Sequence, residues 1–201
     1  MIKNVIFDIG NVLADFGWER LFERLGFKGE VFERVANATV RGPYWAEFDR
    51  SRMPDREIIE RFYSLAPDCK EQIDLLYEHI HQMSDEFSYA SAWIGELKEA
   101  GYFVYILSNY GKTAFEKREE PFSFLSKADG KVISFEVLSV KPEQEIFRAL
   151  EQKYGILPEE SVFIDDIEEN ITAAREYGYE GIVFETREQA EAKLADLGVV
   201  K

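Results

Sequence analysis

The sequence predicts an α/β protein, a doubly wound parallel sheet with an all-helical insert after its first strand. Two observations carry this. Five short apolar runs, mostly β-branched or aromatic at their centres, alternate with stretches of helical period. Between the first and second runs lies a long segment, residues 17–88, with helical spacing throughout and nothing that reads as a strand.

The first strand is Asn4-Val5-Ile6-Phe7, ended by Asp8 and Gly10. In the insert, Leu21, Phe22 and Leu25 share a helical face that stops near Gly26, and Val31, Phe32 and Val35 continue it. Ile58, Ile59 and Phe62 form another stripe, and Ile73, Leu76 and Tyr77 another, so the insert reads as a lid of about four helices. Ala90 to Ala100 is a helix halted by Gly101. Phe103 to Leu107 is the second strand, ended by Ser108-Asn109, and Lys131 to Phe135 the third. Pro142 to Tyr154 reads as a helix opened by its proline, with Ile146, Phe147 and Leu150 inward. Ser161 to Ile164 is the fourth strand, ended by Asp165-Asp166. A helix from Glu169 to Tyr177, a strand from Gly181 to Phe184 and a helix from Glu188 to Leu197 complete the alternation. Residues 1–16 and 89–201 thus form a Rossmann-like core, and residues 17–88 a helical cap domain.

The chain has 201 residues, 46% of them apolar, enough for one core with a modest insert. Its 24 lysines and arginines against 39 acids leave a formal charge of −15. Such a surface repels nucleic acid and anionic membrane. A binder of phosphate esters with this charge needs a local positive centre, from a metal ion or a few placed lysines. Cys69 is the sole cysteine, which excludes an internal disulfide and fits a reducing compartment; a cytoplasmic location is expected. His79 and His81, two residues apart, do not share a helix face and form no zinc site with Cys69. No signal peptide is visible, and no apolar run approaches the ~20 residues that cross a bilayer.

Three strands end in chemically complementary groups: Asp8, Ser108-Asn109 and Asp165-Asp166. Ligands of open α/β sheets bind at the carboxyl ends of strands, so these groups are expected at one crevice. Singly, each has a plainer reading as a turn former, a helix cap or a surface charge. Together they supply phosphoryl transfer. Asp8 on a tight turn can act as a carboxylate nucleophile. Lys141 can hold the transferring phosphoryl group, and Ser108 can donate to one of its oxygens. Asp8 and Asp166 can share Mg2+, a hard cation that prefers oxygen and lowers the repulsion between anionic nucleophile and anionic ester.

The pattern resembles the haloacid dehalogenase-like hydrolases. The motifs are Phe7-Asp8-Ile9-Gly10-Asn11-Val12-Leu13, then Ile106-Leu107-Ser108-Asn109, then Lys141 before Pro142-Glu143, then Val162-Phe163-Ile164-Asp165-Asp166 with Glu169-Asn170. The nearest branch in flavour is that of the bacterial sugar phosphatases, including α-glucose-1-phosphate phosphatases, which resemble the chain at Asp8-Ile9-Gly10-Asn11-Val12. The resemblance implies that Asp8 is phosphorylated, that the Gly10 carbonyl and Asp166 join Asp8 as magnesium ligands, and that Ser108 and Lys141 bind phosphate. Asn109 would orient the nucleophile loop and meet substrate, while Asp165 and Asn170 would stand behind the ligands. Small phosphate esters are the implied partners, with no obligate protein partner.

One position departs from the family pattern. Its phosphatases carry a second aspartate two residues after the nucleophile, as general acid and base. Here that residue is Gly10, whose carbonyl can face a metal but cannot move a proton, and loss of such an acid is worth ~10²–10⁴-fold in rate. Asp15 is the nearest acid in sequence. In the insert, Arg41, Gly42, Tyr44 and Trp45, followed by Glu47, Asp49 and Arg50, form a polar-aromatic patch suited to a sugar ring, with Arg41 and Trp45 as expected substrate contacts. Two other functions share these residues. A 2-haloacid dehalogenase would use the same aspartate but needs no metal-binding pair such as Asp165-Asp166. A non-catalytic binder of phosphorylated ligands would account for Gly10 but not for the joint presence of Asp8, Lys141 and Asp166.

Overall fold

In a computed structural model that describes residues 1–118 and 120–200, the five apolar runs form one parallel sheet. Its strands are β1 (Asn4–Phe7), β2 (Phe103–Ser108), β3 (Gly130–Ile133), β4 (Ser161–Asp165) and β5 (Glu180–Val183), in the order β3-β2-β1-β4-β5. The chain leaves β1 toward β2 and β3, then returns to the other side of β1 for β4 and β5. That reversal places a switch point, where ligands of such sheets bind, at the carboxyl ends of β1 and β4. Phe7 lies level with Ile106 and Ile164, so Asp8 comes just past the end of the central strand. The Asp8 backbone N–H donates to Ile164 O at 2.9 Å and keeps this residue in line with β4.

Between β1 and β2 run α1 (Trp18–Arg24), α2 (Gly29–Ala38), α3 (Trp45–Arg50), α4 (Asp55–Leu65), α5 (Lys70–His79) and α6 (Ala90–Glu99). The short helices α7 (Lys112–Glu116) and α8 (Ser134–Val137) follow β2 and β3. Then come α9 (Gln144–Tyr154), α10 (Glu168–Glu176) and α11 (Arg187–Asp196). Both sheet faces are covered, as fully apolar parallel strands require. Val5, Phe7, Val104 and Ile106 pack with Trp93, Ile94 and Leu97 of α6 and Ala190 and Leu194 of α11. Phe7 meets Trp93 edge-on at 4.7 Å between ring centroids. The alternate residues Ile6, Tyr105, Leu107 and Phe163 pack with Ile146, Phe147 and Leu150 of α9 and Ile171 of α10. Leu21, Phe22, Val35, Phe48, Ile58, Phe62, Ile73 and Leu76 build a separate cluster within the insert. Among the described residues no helix is long and apolar enough to cross a membrane.

Two local expectations are corrected. The third strand ends at Ile133, and Ser134 and Phe135 open α8 instead of extending it. Ser134 Oγ donates to Asp49 O of the insert at 2.7 Å and accepts from Tyr110 N at 2.9 Å, a pull that strand periodicity does not encode. Pro142 precedes its helix rather than opening it. Glu143 is the extended cap residue, its carboxylate taken by Ser139 Oγ at 2.8 Å and by Arg50.

These bonds dock α3 on the sheet's carboxyl edge. Arg50 is buried and pairs with both Glu47 and Glu143, and Arg52 Nε donates to Leu138 O at 2.9 Å. The joint is tight at Gly111, where a Cβ would lie 2.2 Å from the Phe48 ring. Gly111→Ala should therefore push α3 outward, destabilise the protein by about 1–3 kcal/mol and raise KM for any substrate held beneath α3. Urea unfolding alongside steady-state kinetics tests this. An unchanged KM would show that α3 does not touch substrate.

Candidate active site

The centre of the site is a buried cation between two carboxylates. Lys141, 4% exposed, places Nζ 2.8 Å from Asp8 Oδ1 and 2.6 Å from Asp165 Oδ2. Asp165 is fully buried and saturated, since its oxygens also accept from Asn170 Nδ2 at 3.1 Å each and from Ile167 N at 2.8 Å. Asp165 and Asn170 thus aim Lys141, and Asp8 stays free to react. Burial alone would depress the Lys141 ammonium, but Asp165 and Asp8 more than reverse that and hold it above its ordinary range.

Asp8 stands differently. Burial pushes its carboxyl up to about 7, with Lys141 pulling against the rise and Asp165 adding to it. Asp166 is also raised, by burial first and by Asp165, with the Asn11 hydrogen bond opposing. Oxygens of Asp8, Asp165 and Asp166 all lie within 4.8 Å of one another. Lys141 alone does not balance this negative charge. With Asp165 already saturated, Asp8 and Asp166 are the oxygens left for a hard divalent cation, and Gly10 lines the same cavity. The residues present fit Mg2+. Ser108 Oγ is buried against Asp8, whose carboxyl it helps to hold down, and has no other hydrogen-bond partner among the described residues.

Asn11 joins the two loops. It takes the left-handed conformation at φ 53°, which asparagine tolerates better than most residues. Its Nδ2 donates to Asp166 Oδ2 at 2.9 Å, and its Oδ1 accepts from Phe16 N at 3.1 Å. Sequence reasoning placed Asn11 in the first motif and assigned it no role.

A cavity of about 360 Å³ opens over Asp8, Gly10, Asn11, Lys141 and Asp166. Its roof comes from Phe16, just before the insert, and from Val40, Trp45, Phe48, Ile80 and Met83 within it. Trp45, an expected substrate contact, lines this cavity. Arg41 does not; it is exposed, pairs with Glu33 at 2.9 Å and lies over Trp18 at 4.8 Å, because the insert's own acids and rings offer nearer partners. Asn109 borders the cavity, but its carboxamide is spent on Lys141, donating to O at 3.1 Å and accepting from N at 2.8 Å. It positions the lysine rather than gripping substrate. Asp15 pairs with Arg20 and accepts from Asp85 N at 2.6 Å, away from the cavity. The wall also includes Asp49, which the sequence placed in the patch without a role of its own, and Ser84 and Tyr110, which sequence reasoning missed. The missing acid at Gly10 was the available signal to look for one in the insert.

The family model described as haloacid dehalogenase-like hydrolase matches residues 2–178. The chain belongs to the haloacid dehalogenase-like hydrolases. A D-ribitol-5-phosphate phosphatase from Bacteroides thetaiotaomicron is 25% identical over 90% of each chain. A drimenol cyclase from Aspergillus calidoustus is 23% identical over 98% of this chain, which spans only 37% of that protein's length. Among solved structures, a haloacid dehalogenase-like enzyme from Bacteroides thetaiotaomicron in complex with magnesium and inorganic phosphate superposes with a TM-score of 0.69 at 25% identity, covering 93% of this chain and 96% of that one. The L-2-haloacid dehalogenase of Xanthobacter autotrophicus with chloropropionic acid covalently bound has a TM-score of 0.65 at 15% identity, over 100% of this chain and 85% of that one, a likeness of fold.

Proposed function

We propose that this hydrolase is a magnesium-dependent phosphatase of small phosphate monoesters, with sugar and polyol phosphates as its first substrate class. One observation carries the reading: Lys141 is buried between Asp8 and Asp165, with the buried Ser108 hydroxyl also on Asp8, at the switch point of the sheet. A buried ammonium and a hydroxyl donor gathered on one carboxylate suit an anionic tetrahedral group arriving there. Asp166 adds a carboxylate that halide displacement does not use. The ribitol-phosphate phosphatase relative supports the substrate class, and Trp45 and Phe48 offer ring faces for a polyol's C–H side.

In this reading Asp8 attacks phosphorus and carries the phosphoryl group as an aspartyl phosphate. Lys141 and Ser108 hold its oxygens in line. Asp8, Asp166 and the Gly10 carbonyl would hold Mg2+, which when bound supplies positive charge against the ester's own. Asn109 keeps Lys141 in register, and the insert excludes bulk water.

The experiment is phosphate release from ribitol 5-phosphate, glycerol 3-phosphate and α-glucose 1-phosphate, with magnesium and with chelator. Release that falls by ~10²-fold or more in chelator is expected. No release from any ester by folded, magnesium-supplied protein would sink the proposal, and 2-chloropropionate would be the next substrate.

A further inference from the structure

Gly10 leaves the phosphatase reading without a proton donor for the leaving alcohol. Among the described residues three acids line the cavity: Asp8, Asp166 and Asp49. Asp8 is the nucleophile of that reading, and Asp166 is bound to Asn11 and placed to hold a cation. Asp49 is the one without an assignment. It comes from α3, which the docking contacts tie to the sheet's carboxyl edge. Its own carbonyl accepts from Ser134 Oγ at 2.7 Å, the next residue is the buried Arg50 paired with Glu143, and Ser51 Oγ donates to Phe48 O at 3.0 Å. A carboxyl on such a mount has a defined position in the wall of the cavity that Asp8 also lines. The place of the missing acid is also open, since a Cβ on Gly10 would meet only Asp8 Oδ2, at 3.9 Å.

Resting on that phosphatase reading, we propose that Asp49 is the catalytic acid and base, reaching from the insert to the work that Gly10 cannot do. As the Asp8 oxygen bonds to phosphorus, the ester P–O bond breaks, and its electron pair leaves on the alcohol oxygen. That oxygen takes the Asp49 proton. The Asp49 carboxylate then accepts a proton from water as the water oxygen bonds to phosphorus and the bond to Asp8 breaks. The sum is ester plus water to alcohol plus inorganic phosphate, with Asp8 and Asp49 returned. The electrostatics suit a group that gives and takes a proton near neutrality. Burial raises the Asp49 carboxyl to about 7 and the Asp8 charge adds to it, while the Gly111 N–H and Lys141 oppose; Tyr110 is the other titratable group facing it. Placing the acid on the insert also means that proton transfer requires a closed cavity, which couples chemistry to water exclusion.

The test is the leaving-group dependence of kcat/KM, which a merely structural role would not move. Wild type and Asp49→Asn are compared on glycerol 3-phosphate, whose alkoxide needs a proton, and on 2,4-dinitrophenyl phosphate, whose phenolate does not. Asp49→Asn should lose ~10²–10⁴-fold on the alkyl ester and less than ~10-fold on the aryl ester. Adding Gly10→Asp to Asp49→Asn should restore at least ~10-fold on the alkyl ester alone. Asparagine keeps the shape, and the Ser134 tether is to backbone, so the variant should fold; Asp49→Ala, read in the same way, serves if it does not. Equal losses on both esters, or none on either, would overturn the role of Asp49 while leaving the phosphatase reading standing. A wild type that cleaves neither ester overturns both.

Discussion

Asp8→Asn should reduce hydrolysis of every ester by ~10⁴–10⁶-fold, because in the proposed mechanism it removes the nucleophile and not only a binding contact. Its effect on stability should run the other way. The Asp8 carboxyl sits at about 7 in the folded chain against an ordinary value of 3.8, so the folded state holds this proton more tightly than the unfolded state. The contribution of Asp8 to stability is therefore largest below about pH 4, declines as pH rises to about 7 and stays low above that. Asparagine has no such term. In chelator at pH 8 the variant should be more stable than wild type, by on the order of 1 kcal/mol, and the two should converge at low pH. Magnesium should narrow the gap by screening the wild-type carboxylate. Phosphate release in parallel with urea unfolding at pH 5 and pH 8 measures both halves. Retention of a tenth of the activity would remove Asp8 from the role of nucleophile.

What was legible in the sequence is what short-range pattern encodes. The central strands β1, β2 and β4 showed as apolar runs because they are buried on both faces, and the groups at their ends did meet. The insert's helices showed as stripes because each packs one face into its cluster. What escaped depends on residues distant in the chain. Ser134 leaves the strand for a bond to Asp49, 85 positions away. Glu143 is set by Arg50, 93 positions away, so Pro142 stands outside the helix it was expected to open. Arg41 and Asp49 are charged residues on neighbouring parts of the insert, and composition alone treats them alike. Only the docking of α3 turns Asp49 into the cavity, while Arg41 is left with Glu33 at the surface. Asn109 was placed at the right edge but with the wrong partner, because nothing in its motif reveals that Lys141 presents a free N–H and C=O beside it.

Lys141→Met should damage stability and activity together, which separates it from Asp8→Asn. Methionine keeps much of the length and apolar stem but leaves Asp8 and Asp165 facing each other without the cation. Removing one partner from a buried ionic cluster is worth about 3–5 kcal/mol. Asp165 keeps its bonds from Asn170 and Ile167, so the larger share of the loss should fall on Asp8. Lys141 is the foremost influence holding the Asp8 carboxyl down, and without it that group rises above its present value of about 7. The deficit should therefore be greatest at alkaline pH and shrink as Asp8 takes up a proton on acidification. Hydrolysis should fall by at least ~10²–10³-fold, the loss typical of removing one donor to a transferring group. The combination with Asp8→Asn is the sharper measurement. If the defect is an unbalanced Asp8 charge, the double variant should be more stable than Lys141→Met alone and remain inactive, a departure from additivity expected of groups in direct contact. A double variant no more stable than Lys141→Met would mean that Lys141 supports the fold through Asp165 and the packing of its stem, and that its pairing with Asp8 belongs to chemistry alone.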